Sequence, residues 1–426
     1  MAILSERVGN TTTLAVQKER GPRIVDVPHG EWRSWTVPES ERLNVVYSVA
    51  IDPGGRGEGS SARLYLGLSN EFEPGIHGRL MKFDCENQSF SLLGDMGTVL
   101  AEAKQTLRPP HSKFHLGVVV DSDGMVYSAT HMTAPPAGEQ VHRVFEIYND
   151  GRRWFSGSHL LQYDPRTNQL IDRGIVSPKE GVRILALNPE LHELYALTYP
   201  RDHFLVISKE GQVRDLGRVG QDNAFGLCWC KDGCTYTTDD DGFFLRYRPK
   251  AQGGGGVLER LAIRIPDAPW RDGTGNLVRR MITGPDGFTL YGAGTKGMRI
   301  FAWRPDSAEV RDYGPVVGID RQSEYSHLPS VKALAFGLDG WLYIATVPYS
   351  GYARSDSGCE LWRLNPRSGL AQSLGLIGGS NGGQFTNCQQ AVSSPDGSIY
   401  FGMQSADPSS ATLVAWRSKL PEGMVQ

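Results

Sequence analysis

One phrase recurs along this chain. An apolar run meets a tight turn, usually Asp-Gly, and an apolar-aromatic run follows that ends in small or polar residues. VVVDSDGMVYSATH, LALNPELHELYALTYP, LCWCKDGCTYTTDD, MITGPDGFTLYGAGT, LAFGLDGWLYIATVP and AVSSPDGSIYFGMQS are its copies. The turn glycines Gly233, Gly287, Gly340 and Gly397 lie 54, 53 and 57 residues apart. A second phrase follows, as in LLQYDPRTNQLIDRG, IFAWRPDSAEVRDYG and LWRLNPRSGLAQSLG. Gly supplies positive φ and Pro presets the first turn position, so these pairs turn hairpins. The flanks are rich in Val, Ile, Tyr and Phe, as strands are. Four antiparallel strands at a period of about 50 residues specify radial blades. The chain is expected to be all-β, a seven-bladed β-propeller of four-stranded antiparallel blades.

The blades are expected at roughly 44–94, 115–175, 183–219, 224–265, 279–316, 331–377 and 389–417, in a single domain over 1–426. The last has no fourth strand after it. A closing strand from within 11–28 is expected to supply it, which removes an unpaired edge. The segments 95–112 and 266–278 read as insertions between blades, the first with a short helix, and AQGGGG at 251–256 as a loop tip.

A formal net charge of −3 argues against nucleic-acid or membrane-surface binding driven by bulk charge. No apolar window approaches the ~18 residues of a membrane span. The N-terminal MAILSERVGN has no apolar signal region, so a cytoplasmic location is expected for the chain as it stands. Six cysteines in 426 residues are no disulfide framework. Cys228, Cys230 and Cys234 suit either zinc or plain burial on an inner strand, and Asp239–Asp240–Asp241 suits either calcium or a polar loop. No cofactor is required by the chemistry below.

In such a blade the start of strand a, the end of b and the start of c share one face. The loops there are long and varied, HMTAPPAGEQVHRVFEIYNDGRRWFSGSH in blade 2 above all. Long loops on a rigid scaffold are where function concentrates. The strand-a starts carry Tyr47, Lys113, His115, Arg183, Asn223, Arg279, Arg280, Lys332, Gln389 and Gln390. That mouth is polar and repeatedly basic, which suits an anionic ligand. Single arginines there also serve to hold backbone carbonyls, a bland role open to Arg279 and Arg280. His131 and Tyr199 end strands b, and His159 starts a strand c. His115, His131, His159, Arg183 and Tyr199 are expected to converge near blades 2 and 3, with Trp154 and Phe155 of the long loop walling one end.

A His, Tyr and Arg set suits β-elimination at a uronic acid. Removing the carbon-5 proton builds charge on the adjacent carboxylate, which a guanidinium neutralises bidentately. A neutral His or a phenolate takes the proton, and a second His or a Tyr protonates the leaving oxygen. Basic neighbours are expected to depress the Tyr pKa. Alternatives from other classes are a non-catalytic propeller binding an anionic glycan or protein, and a glycoside hydrolase on the same scaffold.

The combination of KFH, DGMVYSATH, SGSHLLQYDPRT and KEGVRILALNPELHELYALTYPRDHF over 111–205 resembles the seven-bladed β-propeller polysaccharide lyases that cleave ulvan. It is more distantly similar to propeller lyases and rhamnosidases acting on rhamnose–glucuronate linkages. The resemblance implies His131 and His159 as the histidine pair, Tyr199 as base or acid and Arg183 as carboxylate neutraliser. Lys113, His115, Asn223, Arg279, Arg280, Lys332 and Gln389 would bind a uronate-containing saccharide. The long loop that separates His131 from His159, 28 positions on, favours short or terminal substrates.

Overall fold

Asp-Gly turns impose the architecture. In five of them the glycine sits at positive φ: Gly124 at 88°, Gly233 at 82°, Gly287 at 77°, Gly340 at 74° and Gly397 at 84°. A side chain is strained there, so glycine is the residue that closes the hairpin. The Asp before it accepts a backbone N–H two residues on, as Asp232 does from Cys234, Asp339 from Trp341 and Asp396 from Ser398. Blade 3 lacks the glycine, and His192 takes the left-handed position at φ 52°.

The computed structural model describes residues 30–38, 40, 42–54, 61–104, 106–220, 225–249, 255–266, 276–295, 299–316, 330–347, 358–378, 385–405 and 410–418, with the short strands Ser5–Val8, Thr11–Leu14 and Arg23–Ile24. Seven antiparallel blades follow one another among these residues, blades 7 and 1 being joined at Gln404 and Val45 into one eight-stranded sheet, and the chain is a seven-bladed β-propeller. Blade 1 is Val45–Asp52, Arg63–Ser69, Arg79–Asp84 and Ser89–Asp95. Blade 2 is Val118–Val120, Val126–Ala129, Ser158–Asp164 and Gln169–Ser177. Blade 3 is Gly181–Asn188, Glu193–Tyr199, His203–Ser208 and Val213–Arg218. Blades 4, 5 and 6 begin at Cys228–Trp229, Val278–Thr283 and Ser330–Phe336. The expected helix between blades 1 and 2 is the single turn Met96–Val99, capped by the Asp95 carboxylate.

The seventh blade holds Phe385–Ser393, Ser398–Ser405 and Thr412–Arg417, and an N-terminal strand completes it. That strand is Glu31–Thr36, just beyond the expected 11–28. Trp32 explains the choice. Its indole packs 4.6 Å from Trp416 and 6.3 Å from Phe401, an anchor of a size that 11–28 lacks. Within 11–28, Thr11–Leu14 pairs with Ser5–Val8, and Arg23–Ile24 adds in parallel to Leu370–Leu376 of blade 6.

By contacts the chain divides into two compact units, 35–229 with 402–413, and the remainder. The former packs Tyr127, Leu160, Val182, Leu194 and Leu205 into one core, and Tyr65, Phe114, Val126 and Tyr163 into another. The latter is centred on Ile300, Leu334, Ile344 and Trp362. No helix among the described residues is long and apolar enough to cross a membrane.

Two irregularities repeat, and both position side chains. Register shifts interrupt the a–b pairing between Val46 and Ser48, Val182 and Ile184, Val278 and Arg280, and Val331 and Ala333. The residues set in these bulges are Tyr47, Arg183, Arg279 and Lys332. A bulge re-aims the side chain it carries. The outer strands bulge at Asp-x-Gly. Gly174, Gly217 and Gly314 adopt positive φ and donate N–H to Asp172, Asp215 and Asp312.

Candidate functional site

Inner strands of blades 2 and 3 bring five of the expected residues together. Lys113 and His131 form a backbone bridge, with His131 N–H donating to the Lys113 carbonyl at 2.7 Å. Leu116 and Ile184 form a parallel bridge, and His115 Nδ1–H donates to the Arg183 carbonyl at 2.9 Å. The rings then form a column. His131 stacks on His115 and on Tyr199, both at 5.4 Å between centroids, and His115 meets Tyr47 at 4.4 Å and Phe225 at 5.3 Å. The Arg183 guanidinium lies 4.6 Å from the Tyr199 and the Phe225 ring centroids.

The protonation states in this column are set by burial. His131 is 2% exposed. Burial pushes its pKa well below the usual 6.5, and the charges of Lys113 and Arg183 push it further the same way. Its Nδ1 lies 2.7 Å from the Met132 carbonyl, which can only accept. The proton therefore sits on Nδ1, and Nε2 carries the lone pair. Tyr199 departs from expectation. Burial raises its pKa above 10.0, and the opposing pull of Arg183 and Lys113 does not overcome it. Tyr199 is thereby held as the neutral phenol at neutral pH.

Two of the expected basic residues, Lys113 and Arg183, face carboxylates. The Lys113 ammonium is buried against the Glu71 carboxylate, and lies 3.6 Å from the Tyr47 ring centroid. Arg183 Nη1 stands 3.8 Å from Asp202 Oδ1. Arg280, in the other unit, donates to the carbonyls of Lys332, Arg279 and Gln389, which is the bland carbonyl-holding role. Lys332 and Gln389 are buried, Arg279 is half-buried, and Asn223 lies outside the described residues.

His159 turns to a different group. Its Nδ1 donates to Asp172 at 2.9 Å, and its ring meets His111 edge-on at 5.3 Å. The same pair recurs as His203 with Asp215 in blade 3 and Arg299 with Asp312 in blade 5, so the contact to Asp172 belongs to the scaffold. Burial alone would raise the Asp172 pKa, but the bonds from His159 and the Gly174 N–H carry it below the usual carboxylate range. Burial likewise lowers His111, against the pull of Glu102. Burial, with the nearby His111, lowers His77 to about 4.

The long blade-2 loop packs against the column through the expected Phe155, while Trp154 turns elsewhere. Met132, Val144 and Phe155 are buried together, with Tyr199 packed on them. Phe155 faces His111 at 4.8 Å, and Trp154 lies under the Lys179 ammonium. Phe145 is the aromatic left open: it is 70% exposed and meets Tyr199 at 6.5 Å. Sequence reasoning missed Glu71, Asp202, Phe145 and Phe225, which lie outside the repeated phrases. The repeated Asp-x-Gly was a visible signal for Asp172.

Cys230 and Asp239 each bond within the scaffold. Cys230 donates its thiol toward the Gly287 and Phe288 carbonyls, and burial raises its pKa to about 12. Asp239 accepts from the Asp241 and Phe243 N–H groups and from Arg260.

Gly181 marks how tightly His131 is held. A Cβ there would meet His131 Cγ at 2.9 Å and Nδ1 at 3.0 Å. Gly181→Ala is expected to displace the imidazole and to destabilise the fold by about 1–3 kcal/mol, the cost of overpacking a filled site. Urea denaturation of the variant beside the parent protein checks this.

No family model matches the chain, and no curated protein matches its sequence. Solved structures do match its fold. The extracellular domain of a hybrid two-component system from B. thetaiotaomicron aligns over 90% of this chain at 12% identity and TM-score 0.54. This chain spans 40% of that protein's length. A structure of the mitotic checkpoint complex aligns over 95% of this chain and 99% of that one, at 13% identity and TM-score 0.52. A β-propeller domain from Myceliophteria thermophila aligns over 88% and 98%, at 10% identity and TM-score 0.49. At 12% and 13% identity the first two likenesses are of fold alone, and the blades themselves make this a β-propeller protein. It carries a buried His–Tyr–Arg column beside an aromatic-tipped loop.

Proposed function

We propose that the chain is a carbon–oxygen lyase that cleaves a glycosidic bond beside a uronic acid by β-elimination. The observation that carries the reading is the stack of His131 on Tyr199 beneath the Arg183 guanidinium. His131 Nε2, unprotonated at neutral pH, takes the carbon-5 proton. The Arg183 guanidinium meets the carboxylate on which charge develops, exchanging its 3.8 Å contact with Asp202 for a closer one. The Tyr199 hydroxyl gives its proton to the leaving glycosidic oxygen. Phe145 offers an exposed ring for a sugar face. The opposite pKa shifts of His131 and Tyr199 support giving the base role to the first and the acid role to the second.

The pH profile tests this assignment. The rate needs His131 neutral and Tyr199 protonated. It falls as pH drops through the lowered His131 pKa and as pH rises through the raised Tyr199 pKa. Formation of unsaturated uronate, followed by ultraviolet absorbance on ulvan or glucuronan fragments, is expected to show one plateau from below 6.5 to above 10.0. A bell centred near 6.5 would refute the roles.

A second reading, a non-catalytic site for an anionic glycan or protein, is favoured by the depth of the groups: His131 is 2% and Arg183 4% exposed. It predicts saturable binding without product.

A further inference from the structure

Blade 2 holds a second cluster that the proposed elimination does not use. One ligand atom each of Glu102, His111 and His159 lies within 4.8 Å of the others. We propose that these three side chains bind one divalent transition-metal ion of the zinc class.

The case rests on how each imidazole is oriented. His159 spends Nδ1 on the Asp172 carboxylate at 2.9 and 3.0 Å, which leaves Nε2 as its ligand atom. His111 sets Nδ1 against Thr130 Oγ1 at 2.9 Å. Its Nε2 then points at Glu102 Oε2, 2.9 Å away. Metal-ligating histidines are held in this manner, with the far ring nitrogen fixed by an oxygen. Both supports are in place here.

The sister blades sharpen the argument. The pair His203–Asp215 in blade 3 occupies the same place as His159–Asp172. Blade 2 differs because the segment before its inner strand delivers Glu102 and His111 to the open side of His159. A repeated scaffold pair is thereby converted into a group of three ligands. Ser156 Oγ lies 3.0 Å from His111 Nε2 and 3.3 Å from Glu102, a further oxygen beside the three ligands.

The donor set selects the ion. Two imidazoles and one carboxylate suit zinc and its neighbours, whereas calcium and magnesium prefer oxygen alone. Ligand bonds of about 2.0–2.2 Å put tetrahedral donors roughly 3.3–3.5 Å apart. The present spacing, from 2.9 Å up to 4.8 Å, brackets that value, so small side-chain rotations complete the site. His111 is closed off at 0% side-chain exposure, while Glu102 at 16% and His159 at 13% leave an entry path. Bound metal would tie the segment after blade 1 to the third strand of blade 2. It would also fix Thr130, which accepts the His159 N–H and directly precedes His131.

The test uses the full chain, stripped with a chelator and dialysed, then titrated with Zn²⁺ by calorimetry and with Co²⁺ by visible absorption. The expected result is one equivalent bound, with Co²⁺ bands of tetrahedral nitrogen–oxygen ligation. E102Q and H159N should each weaken binding at least about tenfold, whereas C230S should leave it unchanged. E102Q alters a group at the edge of the site, so its fold is expected to survive, and circular dichroism checks that. The Co²⁺ spectrum is a readout needing no variant. Failure to bind one equivalent, a thiolate charge-transfer band, or affinity unchanged in both ligand variants would each overturn the proposal.

Discussion

His131→Asn is expected to lower turnover of a uronate-containing saccharide by about 10²–10⁴-fold, the usual contribution of a positioned general base. Asparagine keeps a donor for the Met132 carbonyl, which His131 Nδ1 now meets at 2.7 Å, so the local backbone is retained. It has no basic nitrogen in place of Nε2. The loss should therefore appear in kcat, with KM little changed, because the interaction lost is made in the transition state. Steady-state kinetics beside a thermal melt separate this from unfolding. An effect under about tenfold with the fold intact would remove His131 from the chemistry.

Glu71→Ala is expected to destabilise the protein by about 3–5 kcal/mol, read from urea denaturation, by stranding a buried charge. The side chains of Lys113 and Glu71 are each 2% exposed and pair with one another. Removing the carboxylate leaves an ammonium inside with the Tyr47 ring as its remaining attraction. Adding Lys113→Met to Glu71→Ala should recover most of the loss, since replacing both members with apolar groups removes the stranded charge. A double variant as unstable as the single one would show that the pair is not what matters.

These two residues also show where the sequence is legible and where it is not. The blades follow from local rules: a glycine at positive φ, an aspartate capping the next N–H, and β-branched flanks. Such rules act within a few residues, so they can be read from the string. The placement of Tyr47 and Arg183 follows too, because each falls at the same point of the repeat, where the structure inserts a bulge. Lys113 looks like a free cation in the sequence. Its partner Glu71 stands 42 residues earlier, in a loop outside the repeat. The direction of the His159 ring depends on Asp172 across the strand pair, and the second cluster draws Glu102 and His111 from an insertion with no repeat to align. The ionisation of Tyr199 depends on burial, which composition does not reveal. The terminal strand that completes blade 7 fell a few residues beyond its expected position because one indole, Trp32, decides the register.

The central claim is elimination, and the mass of the product tests it most directly. Purified protein would be incubated with a panel of uronate-containing oligosaccharides and the products weighed by mass spectrometry. The account predicts two fragments whose masses sum to that of the substrate, one of them carrying an unsaturated uronate. Fragments that together gain one water would contradict it and make the chain a hydrolase. Intact substrate across the panel, with saturable binding, would make it a binding protein.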